Sequence, residues 1–220
     1  MKKIILLPTI NEEKNLKKLL PRIPKEYDLL ILDYKSNDNT TSVGKKHGAK
    51  TINIEKKGLG NAYIIGFKYA IQNEYEILFE MDADLSHNPN DLKRLEKNLN
   101  TFDVVIGSRY IQGGKINGWN IYRKFVSKIS NIFARKSLKT TIKDLTSGYR
   151  AIKISALKNI DLDHLNVSGY AFQISLINEL LKKESKIKEI PITFTERKIG
   201  KSKLEKKDIK EFFIYCIKKL

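Results

Sequence analysis

The order of apolar and polar positions divides the chain into two unlike halves. In the first, short aliphatic runs alternate with segments of helical period. Lys3–Pro8 predicts a strand, after which Leu16, Leu19 and Leu20 fall on one helical face, and Thr9 with Glu12 has capping-box spacing for that helix. Asp28–Asp33 reads as a second strand, followed by a polar loop over Lys35–Thr41 and a short helix ending near Gly48. Ala49–Ile54 alternates like a third strand. Gly58-Leu59-Gly60 then opens a helix to about Asn73, a turn that suits glycine at positive φ. Glu76–Met81 is a fourth strand that breaks into Asp82-Ala83-Asp84. Asn88-Pro89, an N-cap with proline at the first helical position, leads a helix to about Leu99, and Phe102–Gly107 is a fifth strand. Apolar strands joined by helical crossovers predict an α/β fold with a mostly parallel sheet covered on both faces. Ligands of such sheets gather at the carboxyl ends of the strands. Glu12, Asp33, Asp82, Asp84 and Arg109 all fall there.

The second half is less regular. A glycine-rich loop (Gly113, Gly114, Gly118) with Trp119 precedes an apolar-striped basic segment, Tyr122–Leu138. Thr146-Ser147-Gly148-Tyr149-Arg150 reads as a turn entering a strand, Tyr170–Lys183 as a helix, Ile187–Thr195 as a strand and Asp208–Leu220 as a final helix. With no repeat and no flexible linker, one domain over residues 1–205 followed by an amphipathic helix over 206–220 is expected.

Charge sharpens the division. The 220 residues carry a net charge of +17, but residues 1–120 hold 19 basic and 15 acidic side chains whereas residues 121–220 hold 23 and 10. The second half therefore expects an anionic partner: nucleic acid, a phosphate-bearing substrate or an anionic membrane surface. The single cysteine, Cys216, excludes a disulfide framework and cysteine-cluster zinc sites. No apolar run reaches the roughly 18 residues of a membrane span, and no secretory leader is recognisable at the start. The expectation is an intracellular globular protein.

Asp82 and Asp84 are the first candidates for chemistry. Two carboxylates one residue apart at a strand end cannot both lie in an apolar core. A hard divalent cation, Mg²⁺ or Mn²⁺, would satisfy them together with phosphate oxygens and water. Further motifs stand in order around them: Pro8-Thr9-Ile10-Asn11-Glu12, Asp33, Lys57-Gly58-Leu59-Gly60-Asn61-Ala62, Met81 to Pro89, Gly107-Ser108-Arg109-Tyr110, Gly118-Trp119 with Arg123, Asp144 with Thr146-Ser147-Gly148-Tyr149-Arg150, Gly169 to Gln173, Pro191-Ile192-Thr193-Phe194, and Arg197 followed by Gly200-Lys201-Ser202-Lys203-Leu204. Asp144 reads either as a plain turn residue or, from its place before Ser147-Gly148, as a substrate-side group. Taken together the motifs resemble the family-2 inverting glycosyltransferases of GT-A fold, a Rossmann-like architecture. Within that family the resemblance is to the dolichol-phosphate (polyprenol-phosphate) mannosyltransferases.

The resemblance implies a nucleoside pocket at Pro8, Ile10, Glu12 and Asp33, and a diphosphate–metal site at Asp82, Ala83 and Asp84 with Ser86 beside it. It places Arg109, Arg197 and Lys203 against donor phosphates, and Arg123, Ser127 and Ser147 at the acceptor phosphate. Asp84, Arg109 and Arg123 are its catalytic candidates. The implied reaction moves mannose from GDP-mannose to a polyprenyl or dolichyl monophosphate on the cytoplasmic face of a membrane, with a small membrane-anchoring subunit as a candidate partner. Three positions depart from the family pattern: Ile10 replaces a tyrosine, Tyr34 replaces a second aspartate after Asp33, and Ser86 stands where glutamine is frequent. The alternatives are a UDP-glucose-dependent polyprenyl-phosphate glucosyltransferase and a non-catalytic module binding nucleotide sugar. Nucleic acid is disfavoured, because strand-end carboxylates without a metal repel phosphate and no nucleic-acid-binding motif is present. His47, His87 and His164 have no triad or metal spacing and read as structural.

Overall fold

Alternate residues of the first strand serve two different cores. β1 (Lys3–Thr9) sends Ile4 and Leu6 into one apolar cluster and Ile5 and Leu7 into another, so both faces of the strand are covered. The computed structural model of the chain describes residues 1–165, 169–200 and 206–219. From β1 the chain runs through α1 (Glu13–Leu19), β2 (Asp28–Asp33), α2 (Thr40–Lys46), β3 (Lys50–Asn53), α3 (Leu59–Gln72), β4 (Ile77–Glu80), α4 (Leu92–Asn98) and β5 (Val104–Ser108). It continues through β6 (Lys115–Asn117), α5 (Ile121–Ser137), β7 (Arg150–Lys153), α6 (Ile154–Lys158), α7 (Gly169–Lys182), β8 (Ile187–Pro191), β9 (Thr193–Thr195) and α8 (Lys206–Ile217).

The main sheet has seven strands in the order β3-β2-β1-β4-β7-β5-β8. It is parallel except at β7, which runs antiparallel to both β4 and β5. α3 and α7 lie over one face, and α1, α2 and α4 over the other. Gly66 lets α3 approach closely, because a Cβ there would meet Leu6 Cδ1 at 2.8 Å and Leu32 Cδ1 at 2.9 Å. Gly58, at φ 139°, enters α3 in a conformation that glycine alone adopts freely.

Several expectations change in detail. Thr9 ends β1 and donates its hydroxyl to Asp33 Oδ1 at 2.7 Å, so no capping box forms with Glu12. The Asn88-Pro89 start caps a single 3₁₀ turn, with the Asn88 side chain accepting from Asn90 N, before α4 begins. The run expected as one strand over Ile187–Thr195 divides at Ile192: β8 joins the main sheet, whereas β9 pairs with β6 in a separate parallel ribbon. α8 buries Phe212 and Cys216 in the core and leaves Ile209, Phe213, Ile214 and Ile217 exposed.

The antiparallel strand carries a charge into the interior. Arg150 and Glu80 are cross-strand partners, both wholly buried, with Arg150 Nη1 at 3.8 Å from Glu80 Oε2. Arg150 also donates to Leu145 O at 2.8 Å and to Gln173 O at 3.1 Å, joining the strand to the loop before it and to α7. Burial pushes the Glu80 carboxyl up to about 7, against the opposing pull of Arg150. Removing one member of such a pair strands the other's charge. Arg150→Met is therefore expected to cost about 3–5 kcal/mol of unfolding free energy by urea titration. The double variant Glu80→Gln/Arg150→Met should recover only the part due to Glu80, because the Leu145 and Gln173 carbonyls still lack the Arg150 donors.

Candidate active site

β1, β2 and β4 end side by side, and a cleft of about 590 Å³ lies across their carboxyl ends. Pro8, Ile10 and Glu12 line it from the end of β1, and Leu32 and Tyr34 from the end of β2. Glu12 is buried, accepts from Asn15 Nδ2 at 2.6 Å, and its amide donates to Thr40 Oγ1 at 2.8 Å. Asp33 lies behind the wall. Its carboxylate accepts from Thr9 Oγ1 and from the amide and hydroxyl of Ser36, so it ties the β2–α2 loop to the end of β1.

β4 ends beneath the middle of the cleft, where Asp82, Ala83 and Asp84 form part of its wall. Burial and the neighbouring Asp84 raise the Asp82 carboxyl, while Arg197 and Arg109 draw it back down. Asp84 Oδ2 is 2.8 Å from Arg197 Nη2, and Asp84 Oδ1 accepts from Ser86 N at 3.0 Å. The Ser86 hydroxyl is buried without a hydrogen-bond partner. His87 accepts from Asp82 N through Nδ1 at 3.1 Å, and its ring lies 4.6 Å from that of Tyr149, nearly parallel to it. Burial holds its imidazole well below the usual range, so it is neutral and props the Asp82 backbone. This structural part agrees with the sequence reading, although His87 also lines the cleft.

The donor set fits a hard divalent ion. Burial, with the neighbouring Asp84 second, raises the Asp82 carboxyl, and an unpartnered hydroxyl lies close by. Among the described residues no group of three or more acidic, histidine or cysteine side chains is arranged to hold a metal ion alone, so oxygen atoms from a phosphorylated ligand and water would complete the coordination.

Three arginines stand around these carboxylates. Arg109, from the end of β5, is buried and donates to Asp144 three times: its amide and Nε to Oδ2, each at 2.8 Å, and Nη2 to Oδ1 at 2.6 Å. A fourth bond runs from Nη2 to Thr146 Oγ1 at 2.8 Å. Arg123, in the first turn of α5, pairs with Glu196 at 2.6 Å, its guanidinium carbon 4.2 Å from the centre of the Trp119 ring. Arg197 faces Asp84 as above.

The cleft therefore unites Pro8, Ile10, Glu12, Asp82, Ala83, Asp84, Arg109, Arg123, Ser147 and Arg197. Asp33 and Ser86 sit behind it. Ser127 accepts a 2.7 Å hydrogen bond from Tyr110, and Ser147 donates its hydroxyl to Gly107 O at 2.6 Å. Lys203 lies outside the described residues. Sequence reasoning missed Trp119 and Phe194 as cleft residues, 5.3 Å apart between ring centres. They meet because β6 pairs with β9 across 78 positions of chain (Lys115 with Thr193), a contact that no local pattern announces. The signals available were the lone tryptophan after Gly118 and the single aromatic, Phe194, between two threonines.

A family model described as Glycosyl transferase family 2 matches residues 4–161. Undecaprenyl-phosphate mannosyltransferase of Micrococcus luteus is 38% identical over 213 residues, covering 93% of this chain and 88% of that protein. Polyprenol monophosphomannose synthase of Mycolicibacterium smegmatis is 36% identical over 94% of this chain and 83% of its own length. Dolichol-phosphate mannosyltransferase of Pyrococcus furiosus is 37% identical over 96% of this chain and 62% of its own length. Among solved structures, glucosyl-3-phosphoglycerate synthase from Mycobacterium tuberculosis in complex with Mg²⁺ and UDP superposes with a TM-score of 0.74 at 17% identity, over 99% of this chain and 79% of that one. That likeness establishes a GT-A-like α/β fold, and the family match and the relatives establish more: the chain belongs to glycosyl transferase family 2.

Proposed function

We propose that the protein transfers mannose from GDP-mannose to a polyprenyl monophosphate, with inversion at the anomeric carbon. The observation that carries this reading is the carboxylate pair Asp82/Asp84 at the end of β4, set in one cleft with Arg109, Arg123 and Arg197. The names of the relatives support the acceptor class and the sugar. An ionised phosphate oxygen of the acceptor attacks C1 of the sugar. The bond from C1 to the donor diphosphate breaks, and its electron pair leaves with the nucleoside diphosphate. A phosphomonoester carries most of its second negative charge at pH 7, so the attack needs no general base. What the reaction needs is alignment and neutralisation of the departing charge. Arg197 and Arg109 supply cationic charge on the donor side, and Arg123 offers a guanidinium fork to the acceptor phosphate. Mg²⁺ or Mn²⁺ held by Asp82 and Asp84, with Ser86 beside them, would neutralise the leaving diphosphate when bound.

UDP-glucose is kept as a second donor because the Asp33 carboxylate is occupied by Thr9 and Ser36, which leaves base selection to other groups. The test incubates the protein with Mg²⁺ or Mn²⁺, labelled nucleotide sugars and a short polyprenyl phosphate, and counts lipid-extractable sugar. Asp84→Ala should lower transfer by about 100-fold or more, the scale of losing a preorganised electrostatic contact. Absence of transfer with every donor would favour a nucleotide-sugar-binding module.

The acceptor class suggests where the enzyme works. α5 exposes Ile121 (87%), Tyr122 (76%) and Phe125 (61%) among Arg123, Lys124 and Lys128, and the exposed side of α8 lies nearby through the Phe133–Phe213 ring contact. Among the described residues no helix is long and apolar enough to cross a membrane. We read these faces as seated on the cytoplasmic leaflet, with anionic headgroups meeting the lysines, and a small membrane-anchoring subunit as a further partner. The protein should sediment with anionic liposomes at low salt and be released at about 1 M salt, where screening shortens to ~3 Å. Phe125→Asp/Ile129→Asp should abolish sedimentation. Lack of sedimentation by the wild type would leave recruitment to a separate subunit.

A further inference from the structure

Most of α5 faces outward, yet Asn131, near its middle, is only 3% exposed. Its side chain reaches across to the loop before β7. Oδ1 accepts from Leu145 N at 2.8 Å and Thr146 N at 3.3 Å, while Nδ2 donates to Thr146 Oγ1 at 3.0 Å and to Ser127 O at 3.0 Å. The two amide donors fix which end of the carboxamide faces the loop. Thr146 Oγ1 is in turn full: it accepts from Asn131 and from Arg109 Nη2 at 2.8 Å, and donates to Asp144 Oδ1 at 3.4 Å. One turn earlier on the same helix, Ser127 accepts from the hydroxyl of Tyr110, the neighbour of Arg109. The helix with the exposed apolar stripe is thus joined by buried polar contacts to the cation that the proposed reaction uses.

We propose that Asn131 is a positioning residue: through Thr146 and Asp144 it sets the Arg109 guanidinium, so that the seat of α5 on its surroundings is felt in the cleft. The proposal rests on the reading above that Arg109 faces transferring phosphate. A purely structural hook between helix and loop would stabilise the fold without moving Arg109, and the two cases separate experimentally. Trp119 is the sole tryptophan of the chain, and the Arg109 guanidinium carbon lies 5.5 Å from its ring centre. The Arg123 guanidinium is nearer, at 4.2 Å, so an emission change counts for Arg109, with or without turnover, where it persists in an Arg123→Ala background.

The experiment compares the wild type with Asn131→Ala, the near-isosteric Asn131→Asp, Thr146→Val, and a control on the same helix, Ser137→Ala. Ser137 is buried, but its hydroxyl goes to Cys216 O at 2.6 Å, away from the cleft. Expected for the three test variants are an altered Trp119 emission spectrum and a kcat lowered by about 10-fold or more, the rate equivalent of one hydrogen bond. Donor KM is free to rise with the fall in kcat, because Arg109 stands on the donor side, so kcat and emission are the readouts that decide. Ser137→Ala should lower Tm with emission and kcat unchanged. If the test variants also lower Tm alone, Asn131 is a structural hook and the proposal is overturned. Should Asn131→Ala fail to fold, Asn131→Asp decides, with Thr146→Val showing the size of effect that loss of a direct Arg109 contact produces. Should the wild type transfer no sugar at all, the functional reading fails, and Trp119 emission decides the positioning proposal: a shift sustains it, and an unchanged spectrum overturns it.

Discussion

A guanidinium held by a carboxylate that water does not reach is the interaction around which the cleft is organised. Asp144 is wholly buried and Arg109 nearly so, and taking either charge from water alone costs several kcal/mol. The pair persists because every short bond between them is made, backbone amide included, and because the loop carrying Asp144 is itself held by Glu189, which accepts from Lys143 N and Asp144 N. Asn131, Thr146 and the Arg150 brace surround the same loop. Exact placement of a charge, rather than its mere presence, is what these bonds supply, and electrostatic stabilisation depends on that placement.

The electrostatic division of the chain acquires a spatial meaning from this arrangement. The near-neutral first half builds the β1, β2 and β4 ends and their carboxylates. The basic second half delivers Arg123 and Arg197 to the same cleft and turns most of its other lysines to outward faces. Within the cleft the two signs of charge meet directly, Arg197 against Asp84 at 2.8 Å.

Much of this could be read along the chain. The strands of the first half, the helix entry at Gly58 and the cluster at the strand ends follow from local periodicity and turn chemistry, because parallel strands buried on both faces leave near-continuous apolar runs. Asp82 and Asp84 were legible because paired carboxylates have no place in a core. Long-range pairing was not legible. That β7 runs antiparallel, that Ile187–Thr195 divides between two sheets, and that Trp119 meets Phe194 all depend on strands far apart in sequence. Thr9 shows the same limit at short range: its spacing suits a helix cap, but a buried Asp33 carboxylate is a stronger claim on the hydroxyl. Asp144 becomes a buried charge only because β5 and the loop before β7 are brought together.

The reversed strand has one more consequence. β5 and β7 are hydrogen-bonded neighbours, with Ile106 opposite Arg150, and Gly107 N donates to Tyr149 O at 2.8 Å. The chain thus leaves the sheet after Ser108 and re-enters it beside its point of departure, and everything between, α5 included, is an excursion closed at its base. Arg109 and Asp144 stand near the two ends of that excursion and are bonded to each other, and β6 within it pairs with β9, so the segment is tied at its base and again along its length. A change confined to the exposed face of α5 therefore leaves the sheet register and the β1, β2 and β4 ends as they are.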